Sequence, residues 1–148
     1  MPRGIVLVVT ALALSVAAYA QSSATASCAQ VNGYDRCNHA AFVKLLARAK
    51  TISVATQPYD RNGQRELKEL VSRLGKKLAA AHGDLVFRLL RANPGNGVYF
   101  GPNDRALASL RVYSRGSLVW VERFTGQPGV PWPTVVYDTI RQFQADTK

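Results

Sequence analysis

The segment from Thr51 to Leu90 constrains the fold most. Thr51 to Thr56 (TISVAT) is β-branched and alternating, and reads as a strand. Leu85 to Leu90 (LVFRLL) reads as a second strand. Between them, Gln64 to Ala81 carries Leu67, Leu70, Val71, Leu74 and Leu78 at three- and four-residue spacing, the stripe of an amphipathic helix. Glu66 and Glu69 come early in it and Lys76 and Lys77 late, as the helix dipole favours. Gly83 follows where a left-handed cap is expected. Strand, helix and strand of these lengths form a βαβ unit, so the two strands should be parallel and joined by a right-handed crossover.

The flanks extend this unit. Ala40 to Ala49 has Phe42, Leu45, Leu46 and Ala49 on one helical face, with Asn38 placed as N-cap. Leu107–Tyr113 and Leu118–Phe124 are strands around Ser114-Arg115-Gly116-Ser117, a hairpin by spacing and turn chemistry. Thr134 to Ala145 is a closing helix, with Pro133 in or before its first turn. The expected order is α-β-α-β-β-β-α: an α/β (α+β) fold with a four-stranded mixed sheet and helices mainly on one face. The other face is then open unless something covers it.

Residues 1–20 have the form of a secretory signal peptide. Arg3 is the basic start, Ile5 to Ala18 the apolar stretch, and Ala18-Tyr19-Ala20 the small-x-small cleavage site. The apolar run is shorter than the ~20 residues a membrane span needs. Cys28 lies too far beyond it to be a lipid-anchored first residue. Residues 21–38 are expected to be a flexible lead-in containing a disulfide loop, and residues 39–148 a single domain. An exported chain meets an oxidising compartment, so Cys28 and Cys37 are expected to pair around the turn dipeptide Asn32-Gly33. The competing metal reading, with His39 beside them, lacks a fourth ligand.

The chain offers little to catalysis. Gly95-Asn96-Gly97-Val98-Tyr99-Phe100-Gly101 is glycine-rich, but no helix follows it and no Lys-Ser/Thr pair is present, which argues against a nucleotide loop. Tyr99 and Phe100 are expected either to fold back as a lid or to lie exposed. His39 and His82 have no framed nucleophile, and the carboxylates form no motif. No cofactor, metal or catalytic residue is assigned, and a small hydrolase is only a third reading.

Binding is better supported. The chain has 19 Lys+Arg against 9 Asp+Glu, a formal charge of +10. With Arg115-Gly116 as a two-residue turn, Val112 faces Val119 and Leu110 faces Val121 on the buried side. On the opposite side Arg111 then lies across from Trp120, Tyr113 from Leu118 and Ser109 from Glu122, with Arg88 on the same face. Arg111 over Trp120 would be a cation–π pair. Arg88, Arg111, Tyr113 and Trp120 are therefore the candidate binding residues, with Tyr99 and Phe100 in the nearby loop. Such a face suits a polyanion or a planar ligand.

The segments Asp84-Leu85-Val86-Phe87, Leu110-Arg111-Val112-Tyr113 and Gly116-Ser117-Leu118-Val119-Trp120, followed by the helix from Thr134 to Phe143, carry a resemblance. The chain resembles a family of small exported bacterial proteins of unassigned function. More distantly it is similar to the amino-terminal domain of TolB and to envelope lipoproteins that activate cell-wall synthases or assemble curli. The resemblance implies a non-enzymatic protein-interaction module and carries over no functional residue. The expected function is that of an exported binding module, periplasmic or extracellular, recognising an envelope protein or itself through the open sheet face or a strand edge. The alternative is binding of an anionic polymer: nucleic acid, lipopolysaccharide or acidic polysaccharide.

Overall fold

A computed structural model describes residues 25–92 and 105–148. The leader and the loop with Tyr99 and Phe100 lie outside the described residues. The chain is an α+β fold with three helices, a five-stranded mixed sheet and a separate two-stranded sheet.

The two-stranded sheet comes first. β1 (Cys28–Val31) and β2 (Tyr34–Cys37) pair antiparallel around Asn32 and Gly33, both at positive φ (51° and 77°). That is the twist a two-residue hairpin needs, and Asn-Gly supplies it cheaply. The register sets Cys28 directly opposite Cys37, and the two are disulfide-bonded. The expected disulfide is present, but its loop is an ordered hairpin rather than part of a flexible lead-in.

α1 (His39–Arg48) starts at Asn38, whose side chain accepts from Ala41 N at 3.0 Å. β3 (Thr51–Gln57) follows, then α2 (Arg61–Arg73), capped by Asp60. α2 is shorter than the apolar spacing suggests. It ends where Gly75, at φ 68°, turns the chain left-handed: Gly75 N bonds to Ser72 O at 2.9 Å and Lys76 N to Val71 O at 3.1 Å. This pair of bonds is a Schellman stop. The residues that would have continued the helix instead form the short strand β4 (Lys77–Leu78), which pairs parallel with β3 and leaves Leu78 exposed. The helix cap is therefore Gly75 and not Gly83. The sheet gains a fifth strand for the same reason.

β5 (Leu85–Ala92) runs parallel to β3, as the βαβ reading requires. β6 (Leu107–Ser114) and β7 (Ser117–Thr125) complete the sheet in the order β4-β3-β5-β6-β7. Arg115 and Gly116, both at positive φ, form the tight turn between them. α3 (Trp132–Asp146) closes the chain with Pro133 in its first turn.

One core holds these elements. Phe42 and Leu46 of α1, Leu67, Leu70 and Val71 of α2, and Val135, Val136, Ile140 and Phe143 of α3 pack with Ile52, Leu85, Phe87, Leu89, Leu110 and Val112 of the sheet. Phe143 sits edge-on to both Phe42 and Phe87, at 6.1 and 5.4 Å between ring centroids. The described helices thus cover one face of the sheet.

Gly83 has a different role from a cap. A Cβ there would lie 2.6 Å from Ser53 N and 2.9 Å from Leu85 O, so the backbone passes too closely against β3 for any side chain. A Cβ on Gly75 would meet open space, and only its positive φ resists substitution. Gly83→Ala is accordingly expected to destabilise by about 2–3 kcal/mol or more, through forced backbone displacement. Gly75→Ala should cost about 1 kcal/mol. Urea denaturation of both variants checks this ordering; equal losses would contradict it.

Candidate functional site

The hairpin register decides which residues share the open face. Beside the turn, Tyr113 faces Leu118 as expected. The next pair is shifted: Val112 faces Trp120, leaving Val119 as an extra residue in β7, a β-bulge. One residue of shift reverses the facing of everything beyond it. Leu110 faces Glu122, Arg111 faces Val121 and Ser109 faces Arg123.

This corrects the expected placement of Trp120. It lies on the helix-covered face, 9% exposed, with its ring stacked on Phe42 at 4.9 Å. No Arg111–Trp120 pair forms. Arg88 finds the aromatic partner instead, with its guanidinium carbon 5.3 Å from the Tyr113 ring centroid.

The face away from the described helices, called the uncovered face below, keeps Arg88, Arg111 and Tyr113 together. Arg88 on β5 is directly opposite Arg111 on β6, with Ala55 of β3 and Val121 of β7 completing the row. Like charges directly opposite on a sheet are unfavourable. Neither arginine joins an ion pair among the described residues. Arg88 is exposed and Arg111 half-buried. Arg111 Nε is enclosed without a hydrogen-bond acceptor, and so is the hydroxyl of Ser109, two residues along on the same face. Arg123, beside Ser109, is committed to Asp35 of β2 at 2.6 Å. That contact ties the disulfide hairpin to the edge strand. Sequence reading missed it because Asp35 and Arg123 lie in separate elements with no local pattern linking them.

A second polar cluster sits on the covered side. Glu122 is 8% exposed and accepts from Trp120 Nε1 at 3.4 Å. His39, at the start of α1, tilts against Trp120 at 5.6 Å, and its Nε2 contacts the Asp146 carbonyl at the end of α3. Burial first, and then the Asp146 carboxylate, pushes the Glu122 carboxyl up to about 7. Among the described residues, no group of three or more His, Cys, Asp and Glu is placed to hold a metal ion. A shallow groove outside both clusters is lined by Tyr59, Arg61, Asn62, Gln64, Arg65 and Lys68, and Glu66 and Glu69 partly neutralise it through Arg65.

The raised Glu122 has a direct consequence for stability. The fold favours its protonated form, so the native state binds more protons than the unfolded chain between 4.5 and about 7. The Glu122 contribution is complete below the ordinary value of 4.5 and is lost as pH rises through about 7. Asp84 acts with the opposite sign in a separate window. Hydrogen bonds from Lys50 N and then Thr51 N lower it from 3.8, so its contribution is present above that value and is lost as pH falls through its lowered value. Denaturation midpoints measured across pH should fall from acid towards neutral, and Glu122→Gln should flatten that slope. An unchanged slope in the variant would contradict the assignment.

No family model matches the chain, and no curated protein matches it. Among solved structures the matches are distant. A PelC dodecamer from Paraburkholderia phytofirmans matches at a TM-score of 0.42 and 13% identity, over 68% of this chain and 88% of that one. A minor lipoprotein from Acinetobacter baumannii matches at a TM-score of 0.39 and 15% identity, over 67% of this chain and 90% of that one.

Proposed function

We propose that this protein is an exported, non-enzymatic binding module whose uncovered sheet face captures an anionic partner. The observation that carries the reading is the direct opposition of Arg88 and Arg111, neither with an ion-pair partner among the described residues. Two cations held side by side raise the local positive potential, which an anion lowers. Tyr113 adds an aromatic surface beside them, and Leu90 and Val121 contribute aliphatic ground. Export is supported by the leader at residues 1–20 and by the disulfide, which is characteristic of an oxidising compartment. Recognition of an envelope protein stays within this reading where that protein offers acidic groups. Self-association through the same face is disfavoured, because it would bring four arginines together.

The test is fluorescence anisotropy of a labelled single-stranded oligonucleotide, used as a generic polyanion, titrated with the purified protein over a series of salt concentrations. Binding should weaken with salt at a log–log slope near −1.4, the value for about two phosphate contacts at about −0.7 each. Arg111→Gln should reduce the magnitude of the slope by about 0.7. The double variant R88Q/R111Q, checked for folding by circular dichroism, should lose binding. Wild-type binding by the double variant would sink the proposal.

A further inference from the structure

We infer that the Arg88–Arg111 pair is a site for a dianionic phosphoryl group, a reading that rests on the anionic-partner function proposed above. Opposing residues of antiparallel strands lie about 4.5–5.5 Å apart at Cα. Two guanidiniums from Arg88 and Arg111 therefore rise from neighbouring points of the sheet.

Arg88 is held before any ligand arrives, and the reach of Arg111 is restricted by partial burial. Arg88 leans over Tyr113. Arg111 is half-buried along its stem: Nε is enclosed, whereas its terminal nitrogens are not among the enclosed atoms without an acceptor. Arg111 thus offers the outer end of its fork, a geometry suited to two oxygens of one anion. Pre-set side chains lose less freedom on binding.

Charge and oxygen count select the ligand. Asp35, the acid that reaches this face, is already engaged by Arg123. Among the described residues, the Arg88–Arg111 pair therefore presents two positive charges with no ion-pair partner. A carboxylate brings one negative charge and two oxygens, enough for one fork. A phosphomonoester brings close to two negative charges and three strong acceptor oxygens, enough to bridge both arginines.

The test is competition against the labelled oligonucleotide, at matched ionic strength, by glycerol phosphate, inorganic sulfate and acetate. Glycerol phosphate should displace the probe at about tenfold lower concentration than acetate near pH 7.5. Its potency should fall about tenfold near pH 5, because the second phosphoryl proton leaves near pH 6. Sulfate stays a dianion throughout, so its potency should hold constant. This control separates ligand titration from that of Glu122 on the other face. Phosphatidic acid vesicles in a phosphatidylcholine background, against soluble glycerol phosphate, distinguish a lipid source from a free phosphate ester. Stronger displacement by either form supports the site. If the probe binds and R88Q/R111Q abolishes binding, but glycerol phosphate is no better than acetate, the phosphoryl site is wrong and the broader anionic reading survives. If R88Q/R111Q binds the probe like the wild type, both fall.

Discussion

A single extra residue, Val119, determines what the edge strand β7 gives to each face of this sheet. Without the bulge at that position, Trp120 would stand beside Arg111 on the uncovered side and Val121 would enter the core. With it, Trp120 joins Phe42 and Phe143 beneath the helices, and Arg111 is left facing Val121 on the surface. The core gains a large aromatic, and the surface keeps two arginines without the tryptophan that would have partnered one of them. Glu122 is carried inward by the same shift, which explains how a carboxyl comes to be buried next to Asp146. Bulges commonly re-aim side chains at sheet edges, and β7 is an edge strand.

The two sides of the sheet therefore solve different problems. The covered side buries apolar area from all three helices and tolerates one acidic cluster at its rim. The uncovered side has no described helix to bury it, and it accepts an unfavourable juxtaposition of Arg88 and Arg111 at its centre. The Arg88–Tyr113 contact offsets part of the repulsion, which a neutral residue at either position would remove. The disulfide hairpin bears on the same side: Asp35 neutralises Arg123 and leaves the central pair alone. Electrostatic asymmetry of this kind fits recognition of an anion better than a self-complementary contact.

Much of the architecture was legible in the residues. The parallel pairing of β3 and β5 followed from the βαβ pattern, and the Asn38 cap, the Arg115-Gly116 turn and the Pro133 start followed from local chemistry. The end of α2 was not legible, because Leu74 and Leu78 keep the helical spacing while Gly75 breaks the backbone between them. The fifth strand was hidden by the same continuity. For the site, Arg88, Arg111 and Tyr113 could be grouped by alternation alone. Trp120 could not be placed, because alternation assumes an unbroken register and nothing about Val119 announces a bulge. Contacts such as Arg123 with Asp35 depend on tertiary placement and leave no periodic trace.

The facing of Trp120 decides what β7 places beside the arginine pair and what it buries, and its fluorescence reports it directly. In a Trp132→Phe variant, Trp120 is the only tryptophan left. The bulged register predicts blue-shifted emission and weak quenching by acrylamide, both relaxing to solvent-exposed values on denaturation. Red-shifted emission with ready quenching in the native protein would place Trp120 on the open face beside Arg111, restore the unbulged register and overturn the account of which β7 residues border the arginine pair.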